Sequence, residues 1–496
     1  MTEATGSGFE KLTSVALEQA LRDSSASERP RCLEDTRVEH LRNLTSWGEG
    51  EWKTQQARVF WMDGAAGVGK SAIAQTWVDA LDVKFGAAFF FSRANRWNQA
   101  EKFWPTISYQ LSTKYSSFRQ AVDATIMRDP LVLSRSKSLD AQFQDLVVKP
   151  LHASSPKDRK ALTNAIIVID GLDECSSEEA QRLIIKLVTT SAATGTTSFL
   201  WAFFTRPESH ILSAFASGHA PKVCWHLTLP VHSPDSDKDI RTFLCDAFQM
   251  IRAKYPFLNA SWPPKEDFDR LVKQCDGLFA YATNAMRFVD KGPGSPQLGP
   301  EERFQFLLKP GEGSRAQLPK LDQLYLLIMD QVPKDTLPTT LLILCANQHI
   351  ASRARPIPHL SALFGFSQSA IFDAVEALYS VIEITRDQCP SLKYYHASFT
   401  DFLTTPERST SEYCINTRDA FVRLYDACLD SAIRPPPSLS GDCQYLFLYL
   451  EQYEMDLIQV CCRSLANHQR GQEHSCTPDR PSCLVGTPRK NRVFAN

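Results

Sequence analysis

Eight consecutive residues, Gly64-Ala65-Ala66-Gly67-Val68-Gly69-Lys70-Ser71, fit the pattern G-x-x-x-x-G-K-[ST]. The chemistry that needs this spacing is the capture of a polyphosphate. Glycines let backbone N–H groups wrap an anion without interference from Cβ atoms. A helix that opens at the turn, with Ala72 in its first residues, adds the positive end of its dipole. Lys70 would reach the outer phosphates, and the Ser71 hydroxyl would ligate Mg2+. The plain alternative is a chance glycine-rich turn. Against it stand the β-prone residues 58–62 (RVFWM) before the loop and the four-residue spacing of Ile73, Trp77 and Leu81 after it.

A second set of residues supplies carboxylates. Residues 165–169 (AIIVI) form a continuous apolar run of strand length, which suits a parallel strand buried on both faces. Such a strand delivers Asp170 to its C-terminal edge, where ligands of open α/β sheets bind. Asp170 would hold Mg2+ through water, and Asp173 or Glu174 would orient or deprotonate an attacking water. A strand ending in an acidic turn is unremarkable by itself; its pairing with the upstream loop gives it a metal role. Arg206 follows the apolar run 199–204 (FLWAFF). Its guanidinium, always charged and able to bind bidentately, would sense a γ-phosphate. A surface arginine in a Thr-Arg-Pro turn is the alternative.

These residues need a scaffold of alternating elements. Residues 9–21 read as a short helix, and 24–30 (SSASERP) as a linker. Thr36 and Glu39 form a capping box for a helix carrying Val38, Leu41, Leu44 and Trp47. Strands at 58–62, 87–91, 165–169 and 199–204 alternate with helices, with 101–150 mainly helical and one helix over 177–189. The order predicts a doubly wound α/β domain with a parallel sheet. Helices follow at 239–248 and 267–289, then a Pro/Gly-rich loop at 291–300. A helix at 339–346, a short one near 359–363, a turn at Gly365 and a helix capped by Ser367 lead to a two-stranded wing, 381–385 and 393–396. That is winged-helix order. Residues 411–462 return to helix, and the apolar-poor stretch 463–496 reads as a disordered tail.

Composition excludes several classes. The chain has 496 residues with Lys+Arg 54 and Asp+Glu 56, a formal net charge of −2. That balance argues against binding nucleic acid or anionic membranes through bulk charge. No apolar run approaches the roughly 20 residues that span a bilayer. No secretory signal is visible, so the 14 cysteines read as reduced thiols and the expected location is cytoplasmic. The helix 367–380 (SQSAIFDAVEALYS) has no Lys or Arg and carries Asp373 and Glu376, which disfavours DNA recognition. Cys461, Cys462, His468, His474, Cys476 and Cys483 suggest zinc by composition but lack a tight C-x-x-C pair. No G-x-S-x-G elbow occurs, and no N-K-x-D motif is present, which favours ATP over GTP.

Together these stretches resemble the NACHT-type STAND NTPases, in particular fungal proteins with a nephrocystin-3-like N-terminal nucleotide-binding region. The resemblance rests on Arg31-Cys32, Thr36-Arg37 and Trp47, on WMDGAAGVGKSAIAQT and on IIVIDGLDECS. FFTRPES, CDGLFAYATNAMRFV, LDQLYLLIM and YYHASFTDFL extend it over residues 31–455. It implies a P-loop domain at 31–225, a helical domain at 226–332, a winged-helix domain at 333–410 and a second helical segment at 411–462, preceded by an N-terminal helix and linker at 1–30. It implies a Mg·ATP-driven signalling switch, NLR-like, with roles such as non-self recognition or heterokaryon incompatibility: ADP holds a closed state, and ATP opens it and permits self-association. Thr36 and Arg37 would approach the base, and His396 would contact the ADP β-phosphate. Gly277-Leu278-Phe279 departs from the related Gly-Leu-Pro, whose proline packs on adenine. The residues before 31 are too few for an effector domain, and no WD, ankyrin or TPR repeat follows, so the chain reads as a minimal switch or an incomplete gene model. Slow Mg-dependent NTP hydrolysis is expected; the alternative is a catalytically idle nucleotide-binding scaffold acting through protein partners.

Overall fold

The computed structural model describes residues 7–24, 29–51, 57–290, 298–309, 316–350, 356–385 and 390–433. Five parallel strands form its central sheet: β1 (Val59–Gly64), β2 (Phe85–Phe90), β3 (Ile166–Asp170), β4 (Leu200–Thr205) and β5 (Cys224–Leu229). Their spatial order is β2-β3-β4-β1-β5. Every residue of β1 to β4 is buried, because helices cover both faces, and this is why they read as unbroken apolar runs. Alternate side chains serve the two faces. Val59 and Trp61 enter one core with Phe103, Trp104 and Trp201. Phe60 and Met62 enter the other with Trp47, Ile73 and Trp77.

β5 was not anticipated. It pairs only with β1, lies at the sheet edge and is half-exposed, so its sequence CWHLTL mixes polar and apolar residues. The expected domain limit at 225 falls inside this strand. The P-loop helix spans Lys70–Ala80, and the helix after Asp170 spans Glu178–Thr194, beyond the expected end at Thr189. A second difference concerns Thr36. The helix Val38–Glu49 has Arg37, not Thr36, at its N-cap, with φ +57° and no side-chain cap. The Thr36 hydroxyl instead donates to the Leu33 carbonyl at 2.6 Å. The expected capping box is absent because the chain turns sharply here to carry Arg37 into the interior.

Beyond the sheet, one apolar cluster runs through Ile240, Phe248, Tyr325, Leu344, Leu378, Phe399 and Leu424. The expected limit at 332 therefore passes through a single core. Helices Pro234–Lys254, Lys265–Cys275 and Phe279–Val289 come first. Gly277, between the last two, has φ +76°, and a Cβ there would sit 2.0 Å from the Val231 carbonyl oxygen. Only glycine fits this contact between the helices and the end of the sheet.

Helices Leu337–His349, Ile357–Phe364 and Gln368–Val375 follow, the last capped by Ser367. Strands β6 (Ile382–Ile384) and β7 (Leu392–Tyr394) then pair antiparallel, each shorter than expected. Helices Ala397–Thr404, Pro406–Tyr413 and Arg418–Ile433 complete the described chain. Residues 434–462, the expected disordered tail and the six candidate zinc residues lie outside the described residues, as does 291–297 of the Pro/Gly-rich loop. Among the described residues, no helix is long and apolar enough to cross a membrane.

One ion pair ties this half together. Arg408 grips the fully buried Asp322, with Nη2–Oδ1 at 2.7 Å and Nε–Oδ2 at 3.0 Å. Arg408→Ala strands a buried carboxylate without its counter-charge. We expect a loss of about 3 kcal/mol, read as a lower urea midpoint at constant m. An unchanged midpoint would show that the pair contributes nothing net.

Candidate functional site

Phosphate-binding geometry starts where β1 stops. Gly69 adopts φ +99°, a conformation that residues with a Cβ avoid, and the helix begins at Lys70. The Lys70 ammonium folds back over the loop and donates to the carbonyl oxygens of Gly64 at 2.7 Å and Ala65 at 2.9 Å. Burial lowers its pKa, so an anion arriving in the loop would meet a poorly solvated cation.

Asp170 lies at the end of β3, almost fully buried. Burial raises its carboxyl to about 6, against the Ser71 hydroxyl and the Lys70 charge, which favour ionisation. Its Oδ1 has no hydrogen-bond partner. An orphaned carboxylate oxygen beside a serine hydroxyl is a donor set that suits a hard divalent cation with several water ligands. Ser71 and Asp170 therefore fit Mg2+.

β4 lies between β3 and β1 and brings Arg206 to the same edge. Its guanidinium is already engaged. Nε lies 3.2 Å from Asp173 Oδ2, Nη1 lies 2.7 Å from Asp401 Oδ2, and Nη2 lies 3.9 Å from Glu174 Oε1. The Arg206 backbone N–H also donates to Asp173 Oδ1 at 2.9 Å. Asp173 thus grips Arg206 with both of its oxygens. Glu174 accepts the Arg93 N–H at 2.9 Å. Burial first, then the Asp173 charge, raises its carboxyl well above the usual range, to about 7.

Asp401 comes from the far half of the chain, on helix Ala397–Thr404. Its second oxygen accepts from Arg93 Nη2 at 3.0 Å. One carboxylate thus bridges two arginines of the sheet domain. Sequence reading passed over both Asp401 and Arg93, since each looks like an ordinary surface charge until the fold brings them together.

His396 caps the same helix. Its Nδ1 accepts the Ser398 N–H at 3.1 Å, so the neutral ring carries its proton on Nε2. Burial and the nearby Arg206 and Lys70 charges push the ring down to about 3, so it stays neutral. A neutral Nε2–H is a hydrogen-bond donor suited to a phosphate oxygen. Ser398 continues to Tyr325 at 2.7 Å and Tyr325 to Asn284 at 3.4 Å, a buried chain that returns to helix Phe279–Val289.

Arg37 and Phe279 mark the other end of the cleft. Arg37 donates from Nη2 to the Val68 carbonyl at 2.8 Å and from its backbone to Asp239 Oδ2 at 3.0 Å. Its guanidinium lies 4.8 Å from the centroid of Phe279. Arg37 thus ties the N-terminal segment to the P-loop and to helix Pro234–Lys254. Phe279 presents an aromatic ring where a proline was the related pattern.

The cavity that these groups enclose holds about 240 Å3. Thr36, Arg37, Ala66, Gly67, Gly69, Lys70, Ser71, Ala72, Asp170, Asp173, Glu174, Arg206 and His396 all line it. Gly64 and Ala65 serve through the carbonyls that hold Lys70. Val68 turns its side chain into the sheet core.

Fold and site together define a P-loop nucleotide-binding protein. The family described as "Nephrocystin 3, N-terminal" matches residues 44–206, a span that takes in the P-loop and β3 and ends on Arg206. No curated protein is matched. Among solved structures, the chain is similar to the Aeropyrum pernix ORC2 protein in its ADPNP–ADP complexes, at 12% identity, 76% of this chain, 94% of that one and TM-score 0.34. It is similar to Cdc6p from Pyrobaculum aerophilum at 12% identity, covering 77% and 96%, TM-score 0.36. A third is Drosophila ORC bound to poly(dA/dT) DNA and Cdc6, at 11% identity, covering 95% and 74%, TM-score 0.28. These three likenesses are too loose to bear on function.

Proposed function

We propose that this chain is a nucleotide-controlled switch of the NACHT type, binding ATP and ADP with Mg2+ and hydrolysing ATP slowly. The observation that carries this reading is the meeting of Arg206 and Asp401 at the phosphate end of the cleft. Lys70 and Ser71 bind the phosphates and Asp170 helps hold the metal, which supplies charge neutralisation on the phosphate oxygens. Glu174 takes a proton from the attacking water. His396 donates Nε2–H to a diphosphate and helps retain it. A γ-phosphate competes with Asp401 for Arg206, and losing Asp401 frees the C-terminal arm, which we take to be winged-helix in type. Protein partners and self-association belong to the freed state. The cation-free helix Gln368–Val375 supports a packing role over a DNA-reading one.

The test is hydrolysis. A general base must be unprotonated, and with Glu174 raised to about 7 its active fraction falls as pH drops through that value. The single-turnover rate with γ-labelled ATP should rise with pH to about 7 and then level off. Glu174→Gln should lower it about 100-fold at pH 8, abolish that pH dependence and spare nucleotide binding. Nucleotide bound without any phosphate release from the native protein would instead favour an idle scaffold.

A further inference from the structure

Arg287, within the stretch CDGLFAYATNAMRFV but given no role there, lines the nucleotide cavity. It lies on helix Phe279–Val289, where Phe279, Thr283 and Arg287 recur every four residues and form one stripe facing the cavity. Phe279 marks the end near the P-loop: Ala280, beside it, donates its N–H to the Gly67 carbonyl at 3.0 Å. Arg287 lies two turns further on, at the turn that carries Tyr395 and His396.

Its surroundings are unusual for a half-buried cation. The guanidinium stacks on the Tyr395 ring, 3.6 Å from its centroid. Among the described residues it makes no ion pair and no hydrogen bond. Glu383 on β6 acts on it electrostatically, but only at a distance. Every other arginine around the phosphate end of the cavity is tied down: Arg206 by three carboxylates and Arg93 by Asp401. A planar fork of donors, stacked on one face and open to the cavity with no anion on it, is placed to receive one.

We propose that Arg287 is a phosphate ligand, its guanidinium hydrogen-bonding the phosphate chain of a bound nucleoside di- or triphosphate. This rests on the nucleotide reading of the cleft and adds a residue to it. The stack on Tyr395 fixes the plane of the fork, and the next residue, His396, faces the same anion. Helix Phe279–Val289 and the β7 turn thus close on one ligand from two sides. Arg287 is the contact through which the helical segment detects phosphate.

The experiment compares ADP and AMP affinities, by calorimetry and competition, for the native protein, Lys70→Ala, Arg287→Ala and Arg287→Lys. Melting temperatures without nucleotide are measured alongside. Arg287→Ala should lower ADP affinity by about 10- to 100-fold, lower AMP affinity less and leave the nucleotide-free melting temperature unchanged. Arg287→Lys should restore part of the loss. If Arg287→Ala keeps the native ADP-to-AMP ratio, whether both affinities are native or both fall equally, Arg287 only packs and the proposal is overturned. If the native protein binds neither nucleotide, the cleft reading itself fails. Loss in Lys70→Ala with no change in Arg287→Ala sinks this inference alone.

Discussion

Lys70→Ala removes nucleotide binding: affinity for ADP and ATP falls by at least about 100-fold, while the protein remains folded. The Lys70 ammonium is the cation that reaches the loop from within, and nothing else described lies in its place. Its present acceptors, the Gly64 and Ala65 carbonyls, belong to the loop itself. Truncation therefore frees two acceptors at a solvent-facing cavity and leaves the two sheet cores untouched. Calorimetry with ADP checks the affinity, and an unchanged melting temperature without nucleotide checks the fold. Undiminished affinity would sink the assignment of the loop.

Asp401→Ala acts in the opposite sense, by loosening the closed arrangement. The carboxylate joins Arg206 and Arg93 with charge-assisted bonds at 2.7 and 3.0 Å, and the Arg206–Asp401 pair is mostly shielded from water. Its removal should cost the closed state about 2 kcal/mol, a population shift of about 30-fold. ADP release should quicken by a similar factor, and self-association should appear at lower ATP. Arg93→Ala should give a smaller effect in the same direction. A double-mutant cycle of Arg206→Ala and Asp401→Ala decides the matter. Coupling shows as a double mutant no worse than the stronger single one. Strict additivity would mean the two residues act separately, and the clasp would be no latch.

The P-loop edge of the sheet was legible in the sequence because its pattern is local. The Gly64–Ser71 loop lies between one strand and one helix, and Asp170 ends an apolar run that can only be a buried strand. The four fully buried strands, β1 to β4, were legible for the same reason, being continuous and apolar. β5 was not, since a half-exposed edge strand has no such run. The failed Thr36 cap shows the limit of short motifs. Arg37 has a buried partner in Asp239, 202 residues away in the chain, and that contact overrides the local preference. Asp401, Arg93 and Arg287 were hidden in the same manner: each is a common charged residue until a distant element faces it. Asp173 and Glu174, adjacent and alike in sequence, were separable only by geometry, one gripping Arg206 at 3.2 Å and the other standing 3.9 Å from it while accepting the Arg93 N–H.

The place of β4 in the sheet has a consequence for charge separation. It acts as a spacer. With β4 between them, β1 and β3 stand two strand spacings apart, about 10 Å. Lys70, at the start of the helix after β1, and Asp170, at the end of β3, still act on each other's charge. The space between the two strand ends is thus lined by a cation and a carboxylate at once, a lining that would suit a ligand carrying both signs, as a metal-chelated polyphosphate does.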